Sequence, residues 1–308
     1  MRKPRIGVIG LGSIAQKAYL PILSQQQGWS LVGAFSPTQS KRDDICAQYR
    51  IQSFPNMAAL VREVDAVFVH SSTETHYEVV AKLLSKGIDV YVDKPLAATL
   101  EEAEGLAVLC AKTGRKVMVG FNRRFAPLYV QAKAEAGRMA WIRTDKHRID
   151  GIRDEPHEQT LLDDYIHLVD LVRWLAADEV KCTGGRIVTD ERGRLLYAQH
   201  SYLSNVGVGL STAMHRRAGS NREHVEWTAD GHVIRVTDLE VWEREEKGLV
   251  MRAKPASWDT ILKRRGFEGA VLHFMESIIG DSKPSVDADE AYKSQLLLEE
   301  LIKLGSSD

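Results

Sequence analysis

The stretch Arg5-Ile-Gly-Val-Ile-Gly-Leu-Gly-Ser-Ile-Ala15 leaves a chain few ways to fold. Ile6, Val8 and Ile9 form a short apolar run with β-branched side chains, which suits a parallel strand buried on both faces. The run enters Gly10-Leu-Gly-Ser-Ile-Ala15 directly, a G-x-G-x-x-A sequence, and Ile14, Ala18, Leu20 and Ile22 then follow a helical pattern. Each small residue has a mechanical use. Gly10 permits the tight turn out of the strand, Gly12 lets a pyrophosphate approach the backbone, and Ala15 lets the helix pack close to the sheet. The free N–H groups and positive end of that helix face the phosphates. A glycine turn alone is a weak sign. Between a strand and a helix it points to a dinucleotide site, with Gly10, Gly12, Ser13 and Ile14 against the ligand.

A length of 308 residues suggests two domains. The 41 basic and 42 acidic side chains nearly cancel, so charge gives no reason to expect nucleic acid or a membrane surface as partner. No window approaches the ~20 apolar residues of a membrane span. Cys46, Cys110 and Cys182 are isolated, form neither a C-x-x-C pair nor a zinc spacing, and read as reduced thiols of a cytoplasmic protein. The basic start, Met1 to Lys3, imitates a secretion signal, but cleavage there would remove the glycine loop, so the segment is expected to stay.

Ser30 to Phe35 reads as a second strand, whose end in an NAD-preferring fold usually supplies an acid for the ribose hydroxyls. Here Ser36-Pro-Thr-Gln-Ser-Lys-Arg42 follows, with no carboxylate before Asp43. Ser36 and Thr38 with Lys41 and Arg42 suit a 2′-phosphate, which favours NADP over NAD, although a solvated turn at a helix start has the same composition. Asp65 to His70 is another buried strand, leading into Ser71-Ser-Thr-Glu-Thr-His76 and a helix to about Leu84. Ser71, Ser72 and Thr73 stand where such sheets bind ligands; Thr73 or Thr75 would serve equally as a helix cap. Gly87 to Val92 and Lys116 to Gly120 complete six strands alternating with helices, the pattern of a doubly wound parallel sheet.

Beyond Gly120 the texture changes. Asn122-Arg-Arg-Phe-Ala-Pro127 opens a helix to about Glu135, followed by a strand from Met139 to Arg148 and a helix from about Thr160 to Ala176. Lys181 to Val188, Arg194 to Tyr202, Gly207 to His215, Glu223 to Thr228 and His232 to Thr237 are alternating segments with short turns, hence an antiparallel or mixed sheet. Trp258 to Ile279 and Asp287 to Leu304 read as two helices. The expected architecture is α/β: a Rossmann domain at residues 1–121, then an α+β domain at 122–308 with a largely antiparallel, open-faced sheet. The last helices are expected to pack back toward the first domain.

Lys94 ends a strand at the same sheet edge as the glycine loop and should point into the cofactor crevice, a plain surface charge being the alternative. Asp93-Lys94-Pro95 resembles the E-K-P motif of the Gfo/Idh/MocA oxidoreductases, with Asp in place of Glu. The glycine loop, Thr73 with His76, and Gly120-Phe-Asn-Arg-Arg-Phe-Ala-Pro127 agree with that family too. So do Asp163-Asp-Tyr-Ile-His-Leu-Val-Asp170 set against D-x-G-x-H-x-x-D, the turn Ala229-Asp-Gly231, and Pro284-Ser-Val-Asp-Ala288. The likeness covers nearly the whole chain and, within the family, is greatest to the MviM-type oxidoreductases.

The resemblance implies hydride transfer between a nicotinamide, NADP or NAD, and a hydroxyl or carbonyl carbon of a sugar, polyol or related small molecule. Ser71, Ser72, Thr73, His76, Asp93, Lys94 and Asn122 would meet the cofactor. Lys94, Arg124, Lys146, Asp163, Asp164 and His167 are the side chains expected at the substrate. By position, Lys94 would bind the reacting oxygen and help move its proton, His167 would be the main acid/base, and Asp163 would orient the substrate or tune His167. The chemistry is coherent: oxidising an alcohol removes a proton as the hydride leaves, an imidazole titrates near neutral pH, and an ammonium stabilises developing alkoxide. A homodimer or larger homo-oligomer, joined through the open sheet face, is also implied.

At ~100° per residue, Asp163, His167 and Asp170 share one stripe of the 160–176 helix, opposite Leu161, Tyr165, Leu168, Val169 and Val172. A solvated face looks the same, but Leu171 and Trp174 fall inside the polar arc, which suggests a cover. A metal site from the three is conceivable; the family uses none, and no further ligand cluster appears, so no metal is expected. Tyr165 stands where the family has glycine, and Gln159-Thr-Leu-Leu162 replaces glycines before the aspartate. The substrate pocket is therefore expected to be narrower or reshaped. Lys146, His147 and Arg148, with His215-Arg-Arg217 and Arg222, are candidates for an anion-binding wall, or are basic sheet edges without purpose. A non-catalytic dinucleotide-dependent sensor is the competing function; the presence of both Lys94 and His167 favours the enzyme.

Overall fold

The computed structural model describes residues 2–25 and 28–305. They form two compact units: the chain up to Phe121 with Phe267–Lys293, and Asn122–Gly266 with the chain from Ser294 onward. The segment Phe267–Lys293 thus belongs with the first unit, so the boundary is not a single cut after residue 121.

In the first unit β1 (Arg5–Ile9), β2 (Ser30–Phe35), β3 (Gln52–Ser53), β4 (Ala66–Val69), β5 (Asp89–Val92) and β6 (Val117–Val119) form one parallel sheet. Its order is β3-β2-β1-β4-β5-β6, the doubly wound arrangement read from the alternation of strands and helices. Every residue of β4 and β5 is buried, which is why β4 and the Val90–Val92 part of β5 read as apolar runs rather than alternating ones. A π-helical turn, Ala15–Tyr19, leads into α1 (Leu20–Leu23); α2 (Gln39–Tyr49), α3 (Met57–Val61), α4 (His76–Ser85) and α5 (Leu100–Thr113) follow. Thr99 and Glu102 close the start of α5 with a reciprocal capping box.

In the second unit α6 (Pro127–Glu135) precedes β7 (Met139–His147), and α7 (His157–Thr160) leads through a π-helical turn, Leu161–Tyr165, into α8 (Ile166–Ala176). The remaining strands are β8 (Val180–Thr189), β9 (Leu195–Ser204), β10 (Gly209–His215), β11 (Arg222–Ala229), β12 (His232–Thr237), β13 (Val241–Glu246) and β14 (Leu249–Ala253). The sheet order is β14-β13-β12-β11-β7-β10-β9-β8, antiparallel except for the β7–β10 pair. Trp227 is fully buried in this core, its ring edge-on to Tyr129 of α6. Strands β13 and β14 were not anticipated. The run Glu243-Arg-Glu-Glu246 looks like a solvated loop, yet its charges are used across strands: Arg235 binds Glu226 at 2.6 Å and Glu245 at 2.9 Å.

The helix expected from Trp258 to Ile279 is broken. Gly266 has φ +81°, and a Cβ there would lie 2.1 Å from the Asn122 carbonyl oxygen, so α9 (Ile261–Arg264) ends and α10 (Phe267–Ile279) begins in a new direction. Phe274 of α10 packs on Phe68 and Tyr91 of the parallel sheet, at 5.5 and 5.6 Å between ring centres. The last helix is α11 (Ala288–Gly305). Among the described residues no helix is long and apolar enough to cross a membrane, and no group of three or more His, Cys, Asp or Glu is placed to hold a metal ion. All three cysteines are unpaired thiols.

Candidate active site

Register sets the carboxyl ends of five strands side by side. Ile9 pairs with Phe35 and Val69, Val69 with Val92, and Val92 with Val119. The next residues, Ser36, Gly10, His70, Asp93 and Gly120, therefore follow one another along a single edge. Chain order reverses there between β1 and β4, the place where open parallel sheets bind ligands. Gly10 has φ +88°, and a Cβ on it would lie 2.5 Å from His70 C and Ser71 N, so only glycine lets these two loops meet. At Gly12 a Cβ would meet nothing nearer than the His70 carbonyl oxygen at 3.9 Å, which leaves room over the loop. Gln16 folds its amide onto the carbonyls of Leu11 (2.9 Å) and Gly12 (3.4 Å), and the N–H groups of the helix start have no intrahelical acceptor. A loop with its acceptors covered and donors at a helix start fits a pyrophosphate.

Several polar residues at this edge hold the loops in place. His76 is buried, with Nδ1 2.9 Å from the Pro95 carbonyl and Nε2 3.2 Å from that of Ser71. It ties the loop after β4 to the loop after β5, and burial pushes it below the usual histidine range. Thr75 donates to Ser71 Oγ at 2.7 Å, while Ser72 is exposed and Thr73 partly so. Arg42 is buried beneath the turn after β2, donating from Nη1 to the Ser36 carbonyl (3.0 Å) and from Nε to Ser53 Oγ (2.9 Å). Ser36, Thr38 and Lys41 form the outer surface of that turn. His70 had no role in the sequence reading. Its ring stacks on Tyr19 at 4.0 Å, neither ring nitrogen has a hydrogen-bond partner among the described residues, and burial, then His76, lowers its pKa to about 3.

Asp93 and Lys94 continue the edge after β5. Asp93 Oδ1 accepts from the Tyr19 hydroxyl at 3.2 Å, and the Tyr19 and Tyr91 hydroxyls are 3.2 Å apart. Gly120 makes room for this group, since a Cβ there would stand 2.8 Å from the Tyr19 hydroxyl. Burial raises the Asp93 carboxyl, opposed first by the charge of Lys94. Lys94 is half-buried beside it.

In the second unit the motif at 163–170 departs from an even α-helix. The π-helical turn at Leu161–Tyr165 rotates less per residue, so a stripe counted at ~100° slips. Asp164 rather than Asp163 is turned inward. Its carboxylate is ion-paired with Lys146 and with Arg216, all three side chains being buried, whereas Asp163 is 41% exposed and paired with Arg153. Burial alone would raise Asp164; Lys146, His167 and Arg216 outweigh that and hold it well below the usual carboxylate range. Burial lowers Lys146 to about 8 against the pull of Asp164. Close by, Arg123 grips Glu223 through two bonds of 2.8 and 2.9 Å; burial raises Glu223, but Arg123 brings it down to about 2. His167 is partly exposed, with Nδ1 on its buried side.

Tyr165 does not narrow a pocket. It is fully buried against the sheet, its hydroxyl 2.8 Å from His200 Nδ1 and 2.5 Å from Thr212 Oγ1. Gly185 accommodates His200, whose Cδ2 would be 2.1 Å from a Cβ there. The phenol thus fills the layer between helix and sheet. Asn122 and Arg124, expected at ligands, are also interior residues. Asn122 donates to the Arg265 carbonyl (2.8 Å) and accepts from Arg123 (3.2 Å), bracing the Gly266 corner. Arg124 binds both oxygens of Asp170, at 2.8 and 2.6 Å, and Ser294 donates to the same carboxylate at 2.9 Å. Replacing Asp170 with alanine would take the bidentate carboxylate from a buried guanidinium, so the expected loss is ~3–5 kcal/mol. Asp163→Ala, at a half-exposed pair, should cost under ~1 kcal/mol. Equal losses in denaturant unfolding would contradict the division of roles.

Four of the basic residues considered for an anion-binding wall have partners of their own. Lys146 and Arg216 share Asp164, and His147 and His215 each accept a backbone N–H, from His215 (3.2 Å) and Arg217 (3.0 Å).

Residues 4–121 match the model of the oxidoreductase family with an NAD-binding Rossmann fold, and residues 127–247 match the YceM-like C-terminal domain. Over 302 residues the chain is 46% identical to "Putative oxidoreductase YceM" of Salmonella typhimurium, covering 98% of each. It is 41% identical to the crystal structure of the dehydrogenase MviM from Clostridium difficile, with a TM-score of 0.95 over 98% of this chain and 99% of that one. Inositol 2-dehydrogenase of Paracoccus denitrificans is 30% identical over 194 residues, 60% of this chain and 57% of that protein. A doubly wound sheet with this glycine loop, joined to an open-faced α+β unit, defines a dinucleotide-dependent oxidoreductase. The chain belongs to the Gfo/Idh/MocA family of such enzymes.

Proposed function

We propose that this oxidoreductase is NADP-linked and acts on a hydroxyl or carbonyl carbon of a sugar or polyol, with Lys94, His167 and Asp163 at the reacting centre. The observation that carries the proposal is Lys94, which follows β5 in the same row as the Gly10–Gly12 cradle. The cradle fits a pyrophosphate at Gly10, Gly12, Ser13 and Ile14 with Ser71, Ser72 and Thr73 alongside; His76 and Asp93 hold the loops. The turn after β2 supports NADP: it offers Ser36, Thr38 and Lys41, has no carboxylate before Asp43, and gains the charge of Arg42 beneath.

When bound, the nicotinamide supplies the hydride acceptor or donor. The chain's own groups do the rest. Lys94 Nζ holds the substrate oxygen and stabilises it as alkoxide character develops. His167, through Nε2 on the side away from its buried Nδ1, takes the hydroxyl proton in oxidation and returns it in reduction. Asp163 orients the substrate. The acid shared by Lys146 and Arg216 offsets one of their two charges, and the inositol dehydrogenase relative supports a neutral polyol as substrate. Exposed Trp141 and Leu203 on the second unit's sheet support a homo-oligomer joined there, and three unpaired thiols accord with a cytoplasmic protein.

A screen of neutral and phosphorylated sugars, polyols and sugar acids with both cofactors, followed by cofactor absorbance, tests the proposal. The expected result is substrate-dependent change, larger with the NADP couple and with neutral compounds. Bound cofactor with no response to any compound would favour the sensor.

A further inference from the structure

We infer that Asp164, clamped between Lys146 and Arg216, is the positioning residue that sets the pH at which His167 takes up and releases its proton. The inference rests on His167 being the acid/base and deepens that reading, because it moves the tuning role from Asp163 to its neighbour. Asp164 lies in the π-helical turn and His167 three residues on, at the start of α8, and His167 is among the charges that hold the Asp164 carboxyl down. The carboxylate is fixed from both sides, Oδ1 on Lys146 Nζ and Oδ2 on Arg216 Nη1. Lys146, Asp164 and Arg216 are 3%, 7% and 2% exposed, so their charges act with little screening. Asp163 is 41% exposed as well as paired with Arg153, and solvent screens a charge so placed.

The surroundings define the sign. The strand β7 contributes Lys146, the segment after β10 contributes Arg216, and β11 contributes Glu223, neutralised by Arg123 from the turn at Asn122–Phe125. The loop before α7 supplies Arg153 and Glu155, with Asp163 from the π-helical turn. The buried trio of Lys146, Asp164 and Arg216 carries one net positive charge. Removing the acid makes it more positive and disfavours imidazolium; removing the lysine makes it neutral and favours imidazolium.

Histidine NMR on the full-length protein without ligand reads this directly and needs no substrate. In Lys146→Met, which keeps the Asp164–Arg216 pair and an apolar stem, His167 should titrate higher by about one pH unit; in Asp164→Asn it should titrate lower by a similar amount. Asp163→Asn should move it less than either. A folded Lys146→Met protein whose His167 titrates as in the parent would overturn the inference, and so would a larger shift in Asp163→Asn than in Asp164→Asn. If Asp164→Asn does not fold, Lys146→Met decides alone. A purely structural role would lower the unfolding midpoint without moving the titration. His167→Asn with full turnover would instead remove the acid/base reading, whatever the NMR shows.

Discussion

Lys94→Ala is expected to lower turnover by ~10³-fold or more while cofactor affinity changes by only a few-fold. The size follows from losing an electrostatic anchor at the developing alkoxide, worth ~10²–10³, together with part of the proton transfer. Affinity should survive because the cradle rests on Gly10, Gly12 and the helix start, and because His76 links the loops after β4 and β5 through backbone carbonyls rather than through Lys94. The measurement is steady-state turnover beside a cofactor titration. Turnover within tenfold of the parent would remove Lys94 from the chemistry.

The second large effect concerns the glycine loop, where two glycines have different reasons to be there. At Gly10 any side chain runs into the backbone of His70 and Ser71 at 2.5 Å, and the residue also sits at positive φ. Backbone strain of ~1–2 kcal/mol and overpacking of ~1–3 kcal/mol then add, so Gly10→Ala should destabilise the protein by ~2–5 kcal/mol and abolish cofactor binding. Gly12 has open space above it, and Gly12→Ala should fold with nearly parental stability yet bind cofactor much more weakly, because the added methyl stands where the pyrophosphate approaches. Thermal unfolding with a cofactor titration separates the two. A Gly10→Ala protein as stable as the parent would show that the two loops do not press together as described.

Much of this fold is legible in the residues. The glycine loop and the apolar runs of β1, β4 and β5 announce a parallel sheet, because strands buried on both faces cannot alternate. The elements that escaped notice did so for physical reasons. Strand β3 has two residues and no pattern to display, and β13 hides its period under charges that pair across strands. The break at Gly266 depends on a backbone contact with Asn122, distant in sequence.

The site was legible by type more than by role. Lys94 and the glycine loop stand on the sheet edge where their positions at strand ends put them. Asp163 took its role from its place in the resemblance to D-x-G-x-H-x-x-D, and the count that aligned it with His167 and Asp170 takes no account of a π-helical turn. Arg42, Asn122, Arg124 and His76, read as ligand-binding residues, also have interior partners in Ser36, Arg265, Asp170 and the Pro95 carbonyl, pairings that local spacing does not reveal. Gln16 and His70 were missed. For Gln16 a signal existed, since it lies one helical turn after Gly12; for His70, an isolated ring at a strand end, there was none.

In the proposed reaction Lys94 and His167 serve one oxygen and one proton of the same substrate. A double-mutant cycle on kcat/KM tests this most directly, comparing Lys94→Ala, His167→Ala and the combined protein with the parent. Groups that act as a unit give strongly non-additive losses. The double variant should be little worse than the poorer single one. Losses that multiply in full would mean that the two residues work independently, and would contradict that shared role.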